Sequence, residues 1–255
     1  MKALILYFSG TGNTKYATQI IKKYLEKKEI EVTLRSIEDK SHLEMKQYDM
    51  LILGAPKYYE YPAMPLLCFL KKELQSVKKT IPVFAFCTQS SYTSTNFKEV
   101  QSVLKAKNYL LSVAKSYALA NNMVIMEAIK PTQADVMKKN IQTLKTEVEE
   151  DLEKFLSQKI DIETPSRAQR VIGYISGHVF TKIFPLFMMK YSVNKADCIQ
   201  CKKCAKQCPA HNIKMENGYP VFSKQCIFCM RCINRCPQNA ILYKQKKRNQ
   251  YKLQK

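Results

Sequence analysis

Asp197-Cys198-Ile199-Gln200-Cys201-Lys202-Lys203-Cys204 and Gln225-Cys226-Ile227-Phe228-Cys229-Met230-Arg231-Cys232 superpose without a gap, 28 positions apart. Each run is completed by a fourth cysteine followed by proline, at Cys208-Pro209 and Cys236-Pro237, and then by an isoleucine, Ile213 or Ile241. Both therefore read C-x2-C-x2-C-x3-C-P, a spacing used by proteins that carry two [4Fe–4S] clusters. Three thiolates two residues apart wrap three corners of one cubane, and the proline fixes the direction in which the chain leaves. Zinc is the rival, since C-x2-C pairs also bind it. A zinc site, however, takes two pairs converging from separate segments on one tetrahedral ion, not two triplets each with a fourth cysteine. Two copies of one short unit predict a pseudo-symmetric module around two similar sites.

Working outward, the chain has ten cysteines, and only Cys68 and Cys87 stand apart from these runs. Met1-Lys2 passes directly into Ala3–Phe8, which reads as a first strand and not as a signal peptide. Cysteines in that context point to metal binding and not to disulfides. Cys68 and Cys87 lie in apolar surroundings and read as buried free thiols. The apolar stretch Val171–Met189 is broken by His178, Lys182 and Pro185, so it falls short of the roughly 20 residues of a spanning helix. A cytoplasmic location is expected.

The formal net charge is +21, and from Arg167 onward there are 18 Lys/Arg against two acids, Asp197 and Glu216. Composition and cysteines thus change at the same place, which predicts a domain at 1–160, a linker with an apolar bridging helix at 161–190, and a cysteine domain at 191–243. The remaining stretch, 244–255, is basic and without periodicity and reads as a disordered tail.

The first 160 residues alternate apolar runs with amphipathic ones. Strands are predicted at 2–8, 30–36, 49–55, 80–87 and 117–125, with helices at 13–28, 63–76, 97–114 and 133–158, the last starting at Pro131-Thr132. This rhythm predicts an α/β doubly wound parallel sheet. Tyr7-Phe8-Ser9-Gly10-Thr11-Gly12-Asn13-Thr14 closes the first strand and opens the first helix, where backbone N–H groups can surround a phosphate. It is neither a nucleotide-hydrolysing P-loop nor a dinucleotide fingerprint, because no Gly-Lys-Ser/Thr follows and Lys15 stands where a third glycine belongs. A glycine-rich turn that binds nothing is the alternative.

Two family resemblances follow from these motifs. Residues 195–242 resemble a two-cluster bacterial-type ferredoxin, a small α+β fold. The resemblance implies that Cys198, Cys201, Cys204 and Cys236 hold one cluster and Cys226, Cys229, Cys232 and Cys208 the other. Ile199, Ile213, Ile227 and Ile241 are then expected to pack around the clusters and limit water. Residues 1–158 resemble flavodoxins, which bind FMN at the switch point of the sheet. That implies FMN phosphate contacts from Ser9, Thr11, Asn13 and Thr14 and the backbone of Gly10 and Gly12. It also implies flavin-ring loops containing Pro56, Lys57, Tyr58 and Tyr59, and Gln89, Ser90, Ser91 and Tyr92. The third loop, Cys87–Phe97, departs from the resemblance in having no glycine. As a whole the chain looks like a flavodoxin–ferredoxin fusion of the iron–sulfur flavoprotein type.

The expected function is electron transfer coupling FMN to two [4Fe–4S] clusters. The alternatives are a flavin-dependent reductase of a small acceptor such as a quinone, nitro compound or oxygen, and a ferredoxin with a flavin-less docking domain. No acid, base or nucleophile constellation is visible, so any catalysis belongs to the cofactor. Two oxidised clusters, at about −2 each, leave the second half strongly positive. That predicts an acidic redox partner (a ferredoxin, a flavodoxin or an oxidoreductase) and salt-sensitive encounters. Nucleic acid is not expected, since the basic residues are scattered among cysteines without a recognisable motif. For 171–189 a helix packed between the domains is expected, with a membrane-surface contact through Arg167, Arg170, Lys182 and Lys190 as the alternative.

Overall fold

The computed structural model describes residues 1–39, 41–90, 93–126, 132–175 and 188–253. Strands β1 (Lys2–Tyr7), β2 (Glu31–Ser36), β3 (Met50–Tyr58), β5 (Ile81–Gln89), β6 (Tyr109–Ala118) and β7 (Asp161–Ile162) run parallel in the order β2-β1-β3-β5-β6-β7. A two-residue strand, β4 (Tyr61–Pro62), folds back antiparallel on β3. In β1 Ala3, Leu4, Ile5 and Leu6 are all fully buried, as a parallel sheet covered on both faces requires. Ala3 and Ile5 pack with α1 (Asn13–Lys27) and α4 (Ala134–Leu156) through Ile21, Leu25, Leu144 and Val148. Leu4 and Leu6 face α2 (Met64–Lys72) and α3 (Lys98–Lys105) through Leu66, Leu70 and Leu104. This is the doubly wound sheet that the alternation predicts. The chain moves from β1 outward to β2 and then back to β3 on the other side, so the loops after β1 and β3 diverge and open a crevice.

The strand predicted at 117–125 is displaced. The helix predicted over 97–114 stops at Lys105, Asn108 turns the chain with φ 65°, and β6 pairs with β5 from Tyr109 to Ala118. The apolar residues Val124 and Ile125 suggested a strand, but they pack into the core of the C-terminal unit. Helix α4 is entered through Gln133, and the hydroxyl of Thr132, where the helix is predicted to start, accepts the Asn121 N–H. Asp161 and Ile162, expected in the linker, add an edge strand. Beside them the Glu163 carboxylate accepts the backbone N–H groups of Thr95 and Ser116. Cys87 is buried as expected, whereas Cys68 lies on the exposed side of α2.

After the sheet, α5 (Arg167–Ile175) lies over the turn following β3, where a Cβ on Gly173 would stand 2.8 Å from Glu60 Cβ. Val171, Ile172, Tyr174 and Ile175 are exposed on it. Residues 176–187 of the predicted bridging helix, including His178 and Lys182, lie outside the described residues, and Met188 and Met189 pack against the core of the C-terminal unit. Among the described residues no helix is long and apolar enough to cross a membrane.

The C-terminal unit pairs β8 (Tyr191–Val193) with β11 (Ile241–Tyr243), and β9 (Ile213–Glu216) with β10 (Tyr219–Phe222), all antiparallel. Two short helices, α6 (Lys203–Lys206) and α7 (Arg231–Arg235), begin beside equivalent cysteines. The sequence repeat is repeated in the backbone. Gln200 and Phe228, Lys202 and Met230, and His211 and Asn239 all adopt left-handed conformations at matching positions.

The tail read as disordered is packed. Gln250 donates its side-chain amide to the Ile233 and Cys236 carbonyls, and Tyr251 donates its N–H to Asn234 Oδ1. Tyr251 and Leu253 pack against the α1–α4 side of the sheet. Its polar sequence lacks periodicity because it is held by single side-chain contacts to distant segments, not by a helix or strand of its own.

Candidate functional site

The crevice at the ends of β1, β3, β5 and β6 holds a cavity of about 240 Å³. Its first wall is the loop into α1. Gly12 takes φ 120°, and a Cβ there would meet nothing within 4 Å, so the loop leaves an open cradle over the helix N-terminus. Helix α1 carries no acidic residue in its first turn, which leaves its positive dipole end free for an anion. Ser9 Oγ accepts the N–H groups of Gly12 (3.2 Å) and Lys15 (3.3 Å). Thr14 shares a buried hydroxyl–hydroxyl bond with Thr88 at 2.8 Å, and Thr11 Oγ1 accepts from Asn122 Nδ2 at 2.6 Å. Asn13 lines the cavity too, but its side-chain amide donates to the Ala120 carbonyl and accepts from the Tyr251 hydroxyl, fastening α1 to the tail.

Pro56, Lys57, Tyr58 and Tyr59 line the second wall. Tyr59 and Glu60 form the tight β3–β4 turn at φ 49° and 65°, an unusual pair for a turn that favours Asn and Gly. Lys57 is almost fully buried and forms an ion pair with Glu60 at 2.5 Å. It also donates to Thr93 Oγ1 and to the Thr93 and Ser94 carbonyls, so the second and third loops are tied together. Gln89 and Ser90 line the cavity, while Ser91 and Tyr92 lie outside the described residues. Thr88 and Glu60, which belong to the same two loops, line the cavity as well, whereas sequence reasoning missed the wall Ala120-Asn121-Asn122-Met123, which follows β6. The Asn-Asn pair is the signal that a correctly placed fifth strand would have exposed. Hydroxyls, a helix N-terminus and tyrosines around one cleft fit a phosphate-bearing flavin.

The eight clustered cysteines gather as two crosswise sets of four. Cys198, Cys201, Cys204 and Cys236 line one small cavity, and Cys226, Cys229, Cys232 and Cys208 line a second. The Asn212 and Ala240 N–H groups point at Cys208 Sγ and Cys236 Sγ, each at 3.3 Å and again at equivalent positions. Such N–H···S bonds favour thiolate ligands and tune a cluster's potential. Burial pushes the Cys226 thiol up to about 12 and the Cys229 thiol up to about 11, so bare thiolates are disfavoured and a metal bound there would displace their protons. Among the described residues no three His, Cys, Asp or Glu side chains stand close enough to hold a single ion. Thiolates that each bind a different iron of a cubane stand farther apart than four on one zinc. Ile213 and Ile241 are buried beside the cysteines and Ile227 partly so, but Ile199 is 59% exposed, contrary to expectation. It caps an open edge of the first set, where Cys201 is also exposed.

The two halves meet at the second set. A Cβ on Gly10 would clash with the Cys229 backbone carbonyl, so this glycine serves the seating of the cysteine loop on the phosphate loop. Arg231 reaches from α7 to the carbonyls of Ser9 and Gly10. Tyr58 lines the crevice cavity, and burial together with the nearby Cys229 holds its hydroxyl pKa well above the ordinary value. Gly10→Ala is expected to destabilise the junction by about 1–3 kcal/mol, as overpacking against backbone does. A lowered unfolding midpoint and reduced iron content are the expected readings, and wild-type values for both would contradict the contact.

Comparison with known proteins gives the same division. Residues 4–116 match the family described as a flavodoxin domain, and residues 197–241 match a 4Fe-4S dicluster domain. Similar solved structures include a flavodoxin from the domain Archaea, 19% identical over 61% of this chain and 99% of that one, with a TM-score of 0.40. Another is oxidised Flavodoxin 2 from Bacillus cereus, 20% identical over 61% of this chain and all (100%) of that one, with a TM-score of 0.38. No curated protein matches the chain.

Proposed function

We propose that this chain, a flavodoxin–ferredoxin fusion, relays electrons between FMN and two [4Fe–4S] clusters. In this reading Cys226, Cys229, Cys232 and Cys208 hold an inner cluster beside the flavin, and Cys198, Cys201, Cys204 and Cys236 hold an outer one. FMN exchanges electrons singly or in pairs and each cluster one at a time, which couples the two kinds of redox chemistry. The observation that carries the reading is the seating of the Cys229 carbonyl on Gly10, a lining residue of the crevice cavity, which supports an inner cluster close to the flavin.

The chain's own residues do the positioning. Ser9, Thr11, Thr14 and the loop backbone would hold the phosphate at the end of α1, and Tyr58 and Tyr59 would flank the ring. Phe228 and Met230, both buried, keep water from the inner set. Around the outer set, exposed Lys202, Lys203 and Lys206 flank exposed Cys201. This supports docking of an acidic redox protein, with rates that fall as salt rises.

Anaerobic purification with iron, sulfide and flavin quantification tests the proposal. About eight iron and eight sulfide per chain with one FMN are expected. Half that iron, or zinc in its place, would overturn the two-cluster reading, and full iron without flavin would reduce the first domain to a docking unit. Replacing Ser9 and Thr14 together by Ala is expected to weaken FMN binding about tenfold or more, each lost bond to a charged group counting roughly 1.5–3 kcal/mol at most. Unchanged flavin content would refute the phosphate-loop assignment.

A further inference from the structure

We infer that Arg231 makes FMN binding conditional on an intact inner cluster, and the inner cluster's retention conditional on FMN; the inference rests on the site assignments proposed above. Arg231 stands between Cys229 and Cys232 in sequence, and its side chain is buried at the junction of the two halves. All five of its N–H donors are engaged. Nε donates to the Gly10 carbonyl at 3.2 Å and Nη2 to the Ser9 carbonyl at 2.8 Å. Nη1 and Nη2 grip the two Glu38 carboxylate oxygens at 2.7 Å each, and Nη1 also donates to the Gln207 carbonyl at 2.9 Å. The guanidinium lies over the Phe8 ring at 5.6 Å.

The effect on the phosphate loop follows from peptide geometry. In a planar trans peptide the C=O and the following N–H point in opposite directions. Holding the Ser9 and Gly10 carbonyls toward Arg231 therefore aims the Gly10 and Thr11 N–H groups away from it. Gly10 and Thr11 line the crevice cavity and Arg231 does not, so the guanidinium braces the loop from behind in its anion-binding orientation. The Arg231 side chain can stay there only while the backbone from Cys229 to Cys232 keeps its course, with Met230 at φ 58° and the Cys229 carbonyl against Gly10. A cluster bonded to Cys229 and Cys232 holds that course. Removing the cluster frees the segment, withdraws the brace and leaves two loop carbonyls without their donors. Thermodynamic linkage requires the reverse effect to be of equal size.

The test measures the FMN dissociation constant by flavin fluorescence on full-length chains. Cys226→Ser, which removes an inner ligand, is expected to raise it about tenfold, within the ordinary range of site-to-site coupling. Cys198→Ser, which removes an outer ligand, is expected to leave it unchanged. Arg231→Met is expected to weaken FMN like Cys226→Ser while keeping wild-type iron, and Arg231→Lys to recover part of the loss. Wild-type affinity in both Cys226→Ser and Arg231→Met would overturn the inference with the flavin site intact. Wild-type protein that binds no FMN would overturn the site assignment itself and the inference with it. A measurement on unaltered protein guards against variants that fail to fold. Saturating FMN should slow iron release to a chelator about tenfold in the slower-exposed half of the iron, and equal rates with and without FMN would overturn the coupling.

Discussion

Cys208→Ser is expected to remove the inner cluster although Cys208 follows the three outer cysteines in sequence, lowering iron from about eight to about four per chain. The reason is spatial: Cys208 lines the cavity of Cys226, Cys229 and Cys232, while Cys236 lines that of Cys198, Cys201 and Cys204. Double replacement separates this from pairing along the chain. Cys208→Ser with Cys226→Ser strikes one cluster twice and should still leave about four iron. Cys208→Ser with Cys198→Ser strikes both and should leave almost none. The reverse pattern would show that each run closes on its own fourth cysteine.

Removal of iron is expected to unfold the C-terminal unit while the sheet domain keeps its structure. Three matched pairs of non-glycine residues, Gln200/Phe228, Lys202/Met230 and His211/Asn239, hold left-handed backbone in that unit. Each costs about 1–2 kcal/mol relative to ordinary backbone. Among the described residues the buried core opposing it is small: Phe228, Met230, Ile233, Ile241 and Tyr243, with Ile125 reaching in from the first domain, and Tyr191 and Phe222 only partly buried against it. So few apolar residues do not offset that strain together with chain entropy, and the iron–thiolate bonds must contribute folding free energy. Hydrogen exchange read by mass spectrometry should show protection over 191–243 falling toward that of an unfolded chain after chelation, with protection in β1, β3 and β5 retained. Protection that survives iron removal would mean that the side-chain core suffices alone.

Several elements were legible because their signals are local. The first four long strands and α1 and α2 follow from apolar periodicity, and the phosphate loop follows from the glycines and hydroxyls of residues 9–14. Periodicity failed where apolar residues serve another unit. Val124 and Ile125 read as a strand, yet they pack against the cysteine domain, and this error hid Asn121 and Asn122 from the site. The tail failed for the related reason that Gln250 and Tyr251 act singly on Ile233, Cys236, Asn234 and Asn13. No repeat or period marks such contacts.

The sequence by itself determined the parts: a two-fold cysteine repeat whose spacing suits cubanes, an anion-ready turn at the first helix, and a basic second half. These are properties of neighbouring residues, which fix ligand spacing and backbone freedom within a turn or two. Only the tertiary structure decided how the parts meet. It seated the Cys229 carbonyl on Gly10, so that the second cysteine set lies against the loop that opens α1. It also brought Arg231 to Ser9, Gly10 and Glu38, partners about two hundred positions away. A buried guanidinium takes whichever acceptors the packed domains bring within reach, so its role is written in contacts between distant segments and not in the residues beside it.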